Sequence, residues 1–176
     1  MKIALRLLLA LAVSFAVAAC RKDTKPEATE PAPVVEQPAP AATTKPAPDP
    51  RDYTDVRNFD NPASMLSKRV IYFDFDKSDV KEEYRPIVAA HAQYAAAHGS
   101  ARITLEGHTD ERGTREYNLG LGERRGNAVD NLMTAGGANS DQLNVVSYGE
   151  ERPVCRVSDE SCWSKNRRVE IVYTAR

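Results

Sequence analysis

The chain has little with which to do metal or nucleic-acid chemistry. Its histidines number three, scattered at His91, His98 and His108. His108 and Asp110 are spaced to share an ion, but no third ligand stands near them, so no metal site is expected. Lys and Arg total 24 against 25 Asp and Glu, and the net charge moves from −1 to −3 once Lys2 and Arg6 are set aside. No basic surface points to nucleic acid. No lysine is followed two residues later by glycine. The S-x-x-K of Ser78 to Lys81 and the S-x-N of Ser164 to Asn166 therefore lack the third motif of a penicillin-binding-like serine hydrolase, and neither an enzyme nor a cofactor is expected. Asp74, Asp76 and Ser78 open like a calcium loop, yet Asp79 stands where that loop needs glycine and Arg85 where it needs glutamate. The longest predominantly apolar run, Leu7 to Ala19 with Ser14 inside it, is thirteen residues, too short for a hydrocarbon layer of about 30 Å at about 1.5 Å per residue.

What the amino-terminal part does contain divides it into two segments. A basic start, the apolar run and a small-residue end make residues 1–19 a secretory signal. Val17-Ala18-Ala19-Cys20 resembles the bacterial lipobox, which implies that Cys20 is lipidated. Arg21 stands where an aspartate would suggest inner-membrane retention, so the expected location is the outer membrane, lipid-anchored and facing the periplasm. Between Arg21 and Pro50 lie eight of the eleven prolines and almost no large apolar side chain. Such a composition cannot offset its own ordering entropy, and residues 20–57 are expected to be an extended tether. That leaves 58–176 as one globular domain with a single core.

Within it, Val70 to Phe73 is a short buried-type strand. Asp79 with Glu82 fits a capping box ahead of a helix that carries Pro86 in its first turns and stops at Gly99. His91 and His98 fall on its apolar face and are expected to pack. Ile103 and Leu105 alternate with polar neighbours as a second strand, Glu116 to Ala135 forms a second helix stopped by Gly136-Gly137, and Leu143 to Tyr148 and Val169 to Tyr173 complete the strands. The fold class is α+β, in the order β-α-β-α-β-β, with a small sheet and helices packed on one face.

Arg125 is the informative residue. Leu121, Ala128, Leu132 and Ala135 share a stripe of the second helix, and Asn118 and Arg125 lie on it. A guanidinium turned to the core costs several kcal/mol unless an anion meets it. Two readings stay open: an internal salt bridge to Asp110, Glu106 or Asp74, or a ligand carboxylate held by Arg125 with Asp110 taking a ligand ammonium.

The stretches YFDFDKSDV, LEGHTDERGTREYNLGLGERRGNAV, VVSYGEERPV and KNRRVEIVY, collinear over Val70 to Tyr173, resemble the peptidoglycan-associated lipoproteins of the OmpA-like peptidoglycan-binding family. The resemblance implies a small mixed sheet flanked by helices and non-covalent binding of the meso-diaminopimelate of the peptidoglycan stem peptide. The motif aspartate and arginine that hold its ammonium and carboxylate fall on Asp110 and Arg125. Asn118, Phe75 and Asp76 line the same pocket by the same correspondence, and Leu121 should pack on the ligand's methylenes. Arg112 falls at a pocket-edge position that varies in the family and is not carried over as a contact. Implied partners are peptidoglycan, a TolB-like periplasmic propeller protein and the outer membrane. The implied role ties outer membrane to cell wall in the Tol-Pal system and at division. The alternative is a lipid-anchored protein-interaction module without ligand affinity, in which Asp110 and Arg125 pair only with protein groups.

Two further features need the structure. Cys155 and Cys162, seven apart, are expected to staple the loop before the last strand. Gly120, Gly122 and Gly126 weaken the second helix by about 1 kcal/mol each relative to alanine, and either close approach to the sheet or drift would account for them.

Overall fold

The structure is a computed structural model that describes residues 46–176. The signal, Cys20 and most of the tether expectation lie outside the described residues. Four strands, β1 (Val70–Tyr72), β2 (Arg102–His108), β3 (Leu143–Gly149) and β4 (Arg168–Ala175), form one sheet in the order β1-β4-β2-β3. β4 runs antiparallel to both β1 and β2, whereas β2 and β3 are parallel. Helices α1 (Arg85–Ala97) and α2 (Arg115–Ala135) cover one face, and a third, α3 (Glu160–Asn166), precedes β4. The mixed sheet, the α+β class and the one-faced packing agree with the sequence reading; α3 was not foreseen, because seven residues that bury only Cys162 and Asn166 carry no apolar helical periodicity.

Alternation sorts each strand into two faces. Ile71, Ile103, Leu105, Val169 and Ile171 meet Val88, Ala92, Ala95, Val129 and Met133 in the main core. A second cluster, Phe59, Leu66, Ala90, Tyr94 and Ala101, closes one end, where the Phe59 ring meets Tyr94 and Tyr173 edge-on at 4.7 Å each. This cluster corrects the tether boundary. Tyr53 packs against it, and the buried Asn58 amide donates to the carbonyls of Asp49 and Asp52, so residues 49–57 belong to the folded unit.

Other expectations need adjustment. The Asp79–Glu82 capping box does not form: a short turn over Glu82–Tyr84 feeds α1, which begins at Arg85 with Pro86 in its first turn. On α2 the buried stripe is Asn118, Leu121, Gly122, Arg125, Gly126, Val129 and Met133, while Ala135 is exposed and Ala128 and Leu132 only flank the core.

The glycines explain that rotation. A Cβ on Gly107 would lie 2.0 Å from the Gly122 carbonyl oxygen, one on Gly122 would lie 2.3 Å from Ser147 Oγ, and one on Gly126 would lie 2.5 Å from Val145 Cγ1. Helix α2 thus rests nearly backbone to backbone on β2 and directly on the Val145 and Ser147 side chains of β3, an approach that only glycine permits. Gly120, by contrast, meets only the flexible end of Arg124 at 3.4 Å. His91, fully buried, bonds Tyr173 Oη and the Lys68 carbonyl, each at 2.9 Å, and burial lowers its pKa to about 4. Cys155 and Cys162 are bonded, with Cα atoms 5.0 Å apart.

Three outcomes follow for stability. Gly107→Ala should destabilise by at least about 2 kcal/mol, whereas Gly120→Ala should gain up to about 1 kcal/mol, as chemical denaturation will read. Opening the disulfide removes a constraint on an eight-residue loop worth roughly 2–3 kcal/mol, so reductant should lower the melting midpoint by several degrees. His91 is neutral when folded and takes a proton below about pH 6.5 when unfolded. The unfolded chain then binds more protons, and stability should fall as pH drops from about 6.5 towards 4, with His91 contributing up to about 3 kcal/mol. His108, whose pKa burial also lowers to about 4, adds to the fall, as melts of the wild type and of His91 variants across that range will read.

Candidate functional site

Helix α2 starts beside the end of β2. Thr114 caps it by accepting from the Tyr117 amide at 3.2 Å, and Gly113 reaches the cap with φ 118°, a conformation that suits glycine. The close approach at Gly107 and Gly122 brings Arg125, one turn further on, level with the last residue of β2.

The Arg125 side chain is fully buried. Its Nε donates to the Lys77 carbonyl at 2.8 Å, Nη1 to the His108 carbonyl at 2.9 Å and Nη2 to the Asp74 carbonyl at 3.0 Å. None of the three carboxylates considered from the sequence is its partner. The Asp74 carboxylate turns outward to Lys81 at 2.8 Å, Glu106 stands opposite Glu170 on β4, and Asp110 is held by other arginines. Among the described residues Arg125 makes no salt bridge. Burial lowers its pKa to about 10, opposed by the Asp110 charge, so it stays cationic at neutral pH. Of five N–H donors, three are used and one on each terminal nitrogen remains.

Asp110 is 3% exposed. Its Oδ1 accepts from the Arg112 amide at 3.1 Å and Nε at 3.2 Å, and its Oδ2 accepts from Arg112 Nη2 at 2.6 Å and Arg167 Nη1 at 3.2 Å. Burial pushes its pKa up, but these bonds outweigh it and hold the carboxyl below its usual value. Arg167 also donates to the Phe73 carbonyl at 3.1 Å and pairs with Glu160 on α3. The Arg112 guanidinium is sandwiched between the Phe75 ring at 4.0 Å and the Trp163 ring at 4.1 Å.

These groups surround a cavity of about 210 Å³. Phe75, Asp76, Asp110, Asn118, Leu121 and Arg125, the residues singled out from the sequence, all line it. Asp76 holds a left-handed backbone, φ 56°, and accepts from the Tyr117 hydroxyl; Asn118 donates to Glu150. The cavity also takes Arg112, Tyr117 and Arg167. Arg112 is thus on the wall and not merely at its edge. Arg167 was missed, although two adjacent arginines at the mouth of a strand carrying Val169, Ile171 and Val172 were a usable signal. The His108 ring is not in the wall; it stacks on Tyr148, its ring nitrogens unpartnered among the described residues. Among those residues no group of three His, Cys, Asp or Glu could hold a metal.

The model of the OmpA family matches residues 72–168. The chain is 49% identical over 109 residues to the peptidoglycan-associated lipoprotein of Pseudomonas putida, a match spanning 62% of this chain and 65% of that protein, just short of two thirds. It is 48% identical over 103 residues to that of Haemophilus influenzae, covering 58% of this chain and 67% of the relative. The crystal structure of the peptidoglycan-associated lipoprotein from Burkholderia pseudomallei superposes with a TM-score of 0.64 at 43% identity, over 65% of this chain and 98% of that one. The C-terminal domain of Helicobacter pylori MotB, at 21% identity and a TM-score of 0.56 over 61% of this chain and 84% of that one, shares the fold. The sheet order, the cavity at the head of α2 and these matches together identify the chain as a member of the OmpA family.

Proposed function

We propose that this chain is an outer-membrane lipoprotein whose cavity binds the meso-diaminopimelate of peptidoglycan, tying the membrane to the cell wall within a Tol-Pal system that includes a TolB-like propeller protein. The names of its relatives, peptidoglycan-associated lipoproteins, support the envelope role. The observation that carries the reading is Arg125: a buried cation beside an open cavity, without a carboxylate partner among the described residues and with a free N–H on each terminal nitrogen. That is the equipment for receiving one carboxylate with two bonds. Asp110 on the same wall suits the ammonium at the same end of diaminopimelate.

One observation favours the second reading, a protein-interaction module without ligand affinity. Arg125 already has three carbonyls, and Asp110 has two arginines. A titration separates them. The purified full chain should bind a diaminopimelate-containing stem peptide saturably; Arg125→Ala should weaken binding by at least about a hundredfold, and Asp110→Ala by a smaller factor, up to about tenfold. Arg125→Ala also strands three carbonyls and should cost about 2–4 kcal/mol of stability, so both variants are titrated below their melting range. A folded wild type that binds nothing would overturn the diaminopimelate reading and leave the second as the better one.

A further inference from the structure

An ionised carboxylate offers about four acceptor positions. At Asp110 all four are taken, three by Arg112 and one by Arg167. A ligand ammonium can therefore bond Asp110 only by displacing a donor that the protein supplies. Arg112 is the exposed one of the pair, its side chain 32% accessible against 7% for Arg167. It is held from both sides by the Phe75 and Trp163 rings, and Glu160 lies 3.6 Å from it. Displacing it costs its bonds to Asp110, and the ammonium regains only what it puts in their place. The carboxylate end of a ligand faces no such competition, because Arg125 has N–H donors to spare. The cavity lining carries Arg112, Arg125 and Arg167 against Asp76 and Asp110, and Glu160 behind it pairs with Arg112 and Arg167, which leaves Arg125 as the cation without a salt bridge among the described residues.

Resting on the diaminopimelate reading above, we propose that Arg112 sets the selectivity of the site: it fills Asp110 from within the protein, so that the ligand's carboxylate, rather than its ammonium, decides binding. The site is then an anion receptor that tolerates an ammonium. Lysine-type stems, which offer Arg125 no carboxylate and whose ammonium must compete with Arg112 for Asp110, are excluded, and so are stems whose far carboxylate is amidated.

The test uses three stem peptides alike except at the third residue: diaminopimelate, lysine, and 2-aminopimelate, which keeps the far carboxylate and lacks the far ammonium. Wild-type protein should bind the 2-aminopimelate stem within about tenfold of the diaminopimelate stem and the lysine stem more than about a hundredfold more weakly. In Arg112→Gln the ammonium meets Asp110 with less competition, and the preference for diaminopimelate over 2-aminopimelate should widen beyond tenfold. Arg112→Lys, which keeps a competing cation, should hold that ratio near the wild-type value. A purely structural role for Arg112 would weaken both stems together and leave the ratio unmoved. Loss of the 2-aminopimelate stem as severe as that of the lysine stem, or an unchanged ratio in Arg112→Gln, overturns the inference while leaving diaminopimelate binding intact. Failure of the wild type to bind any of the three overturns both readings.

Discussion

One guanidinium organises the head of this domain. Arg125 gathers the carbonyls of Asp74, Lys77 and His108, so that the loop after β1 and the end of β2 are fastened to helix α2 at a single buried point. A cation in that position cannot be left without oxygens, because removing it from water costs several kcal/mol that only charge-assisted bonds repay. The loop's path, including the left-handed Asp76 and the outward turn of the Asp74 carboxylate, follows from presenting carbonyls to Arg125. Remove that constraint and the cavity loses both its floor and one of its walls.

Around this fixed point the remaining charges divide in two. Asp110, Arg112, Arg167 and Glu160 form a closed group in which each charge answers another, and α3, stapled by the Cys155–Cys162 bond, carries Glu160 and Trp163 into it. Arg125 stands outside that group, bonded to three backbone carbonyls and lying over the Phe73 ring at 5.2 Å. The wall is thereby asymmetric, with a satisfied anion on one side and an underused cation on the other.

Much of this was legible in the sequence, and the limits have physical causes. The strands and both long helices could be read because alternation and helical spacing are local signals. Arg125 stood out because a charge on an apolar stripe is a conflict that any reader of the stripe must resolve. Its resolution was not legible: backbone carbonyls leave no mark in side-chain chemistry, and the pairing of Asp110 with Arg167 joins residues 57 apart in the chain. The helix glycines were ambiguous alone, since the meaning of Gly122 depends on Gly107 and Ser147 lying across from it. The tether boundary fell too late because Tyr53 follows a proline-rich stretch, and only its packing and the bonds from Asn58 to the Asp49 and Asp52 carbonyls reveal that residues 49–57 are folded.

Strand β4 also has a mechanical meaning. It runs from Arg168, next to the cavity arginine Arg167, to the neighbourhood of Tyr173, where Phe59 docks the amino-terminal segment. A pull between that segment and anything gripped in the cavity is directed along the strand, with β1 bonded on one flank and β2 on the other. Load applied in that direction shears the ladder, so that many hydrogen bonds must yield at once. The same sheet pulled crosswise would open one bond after another like a zip.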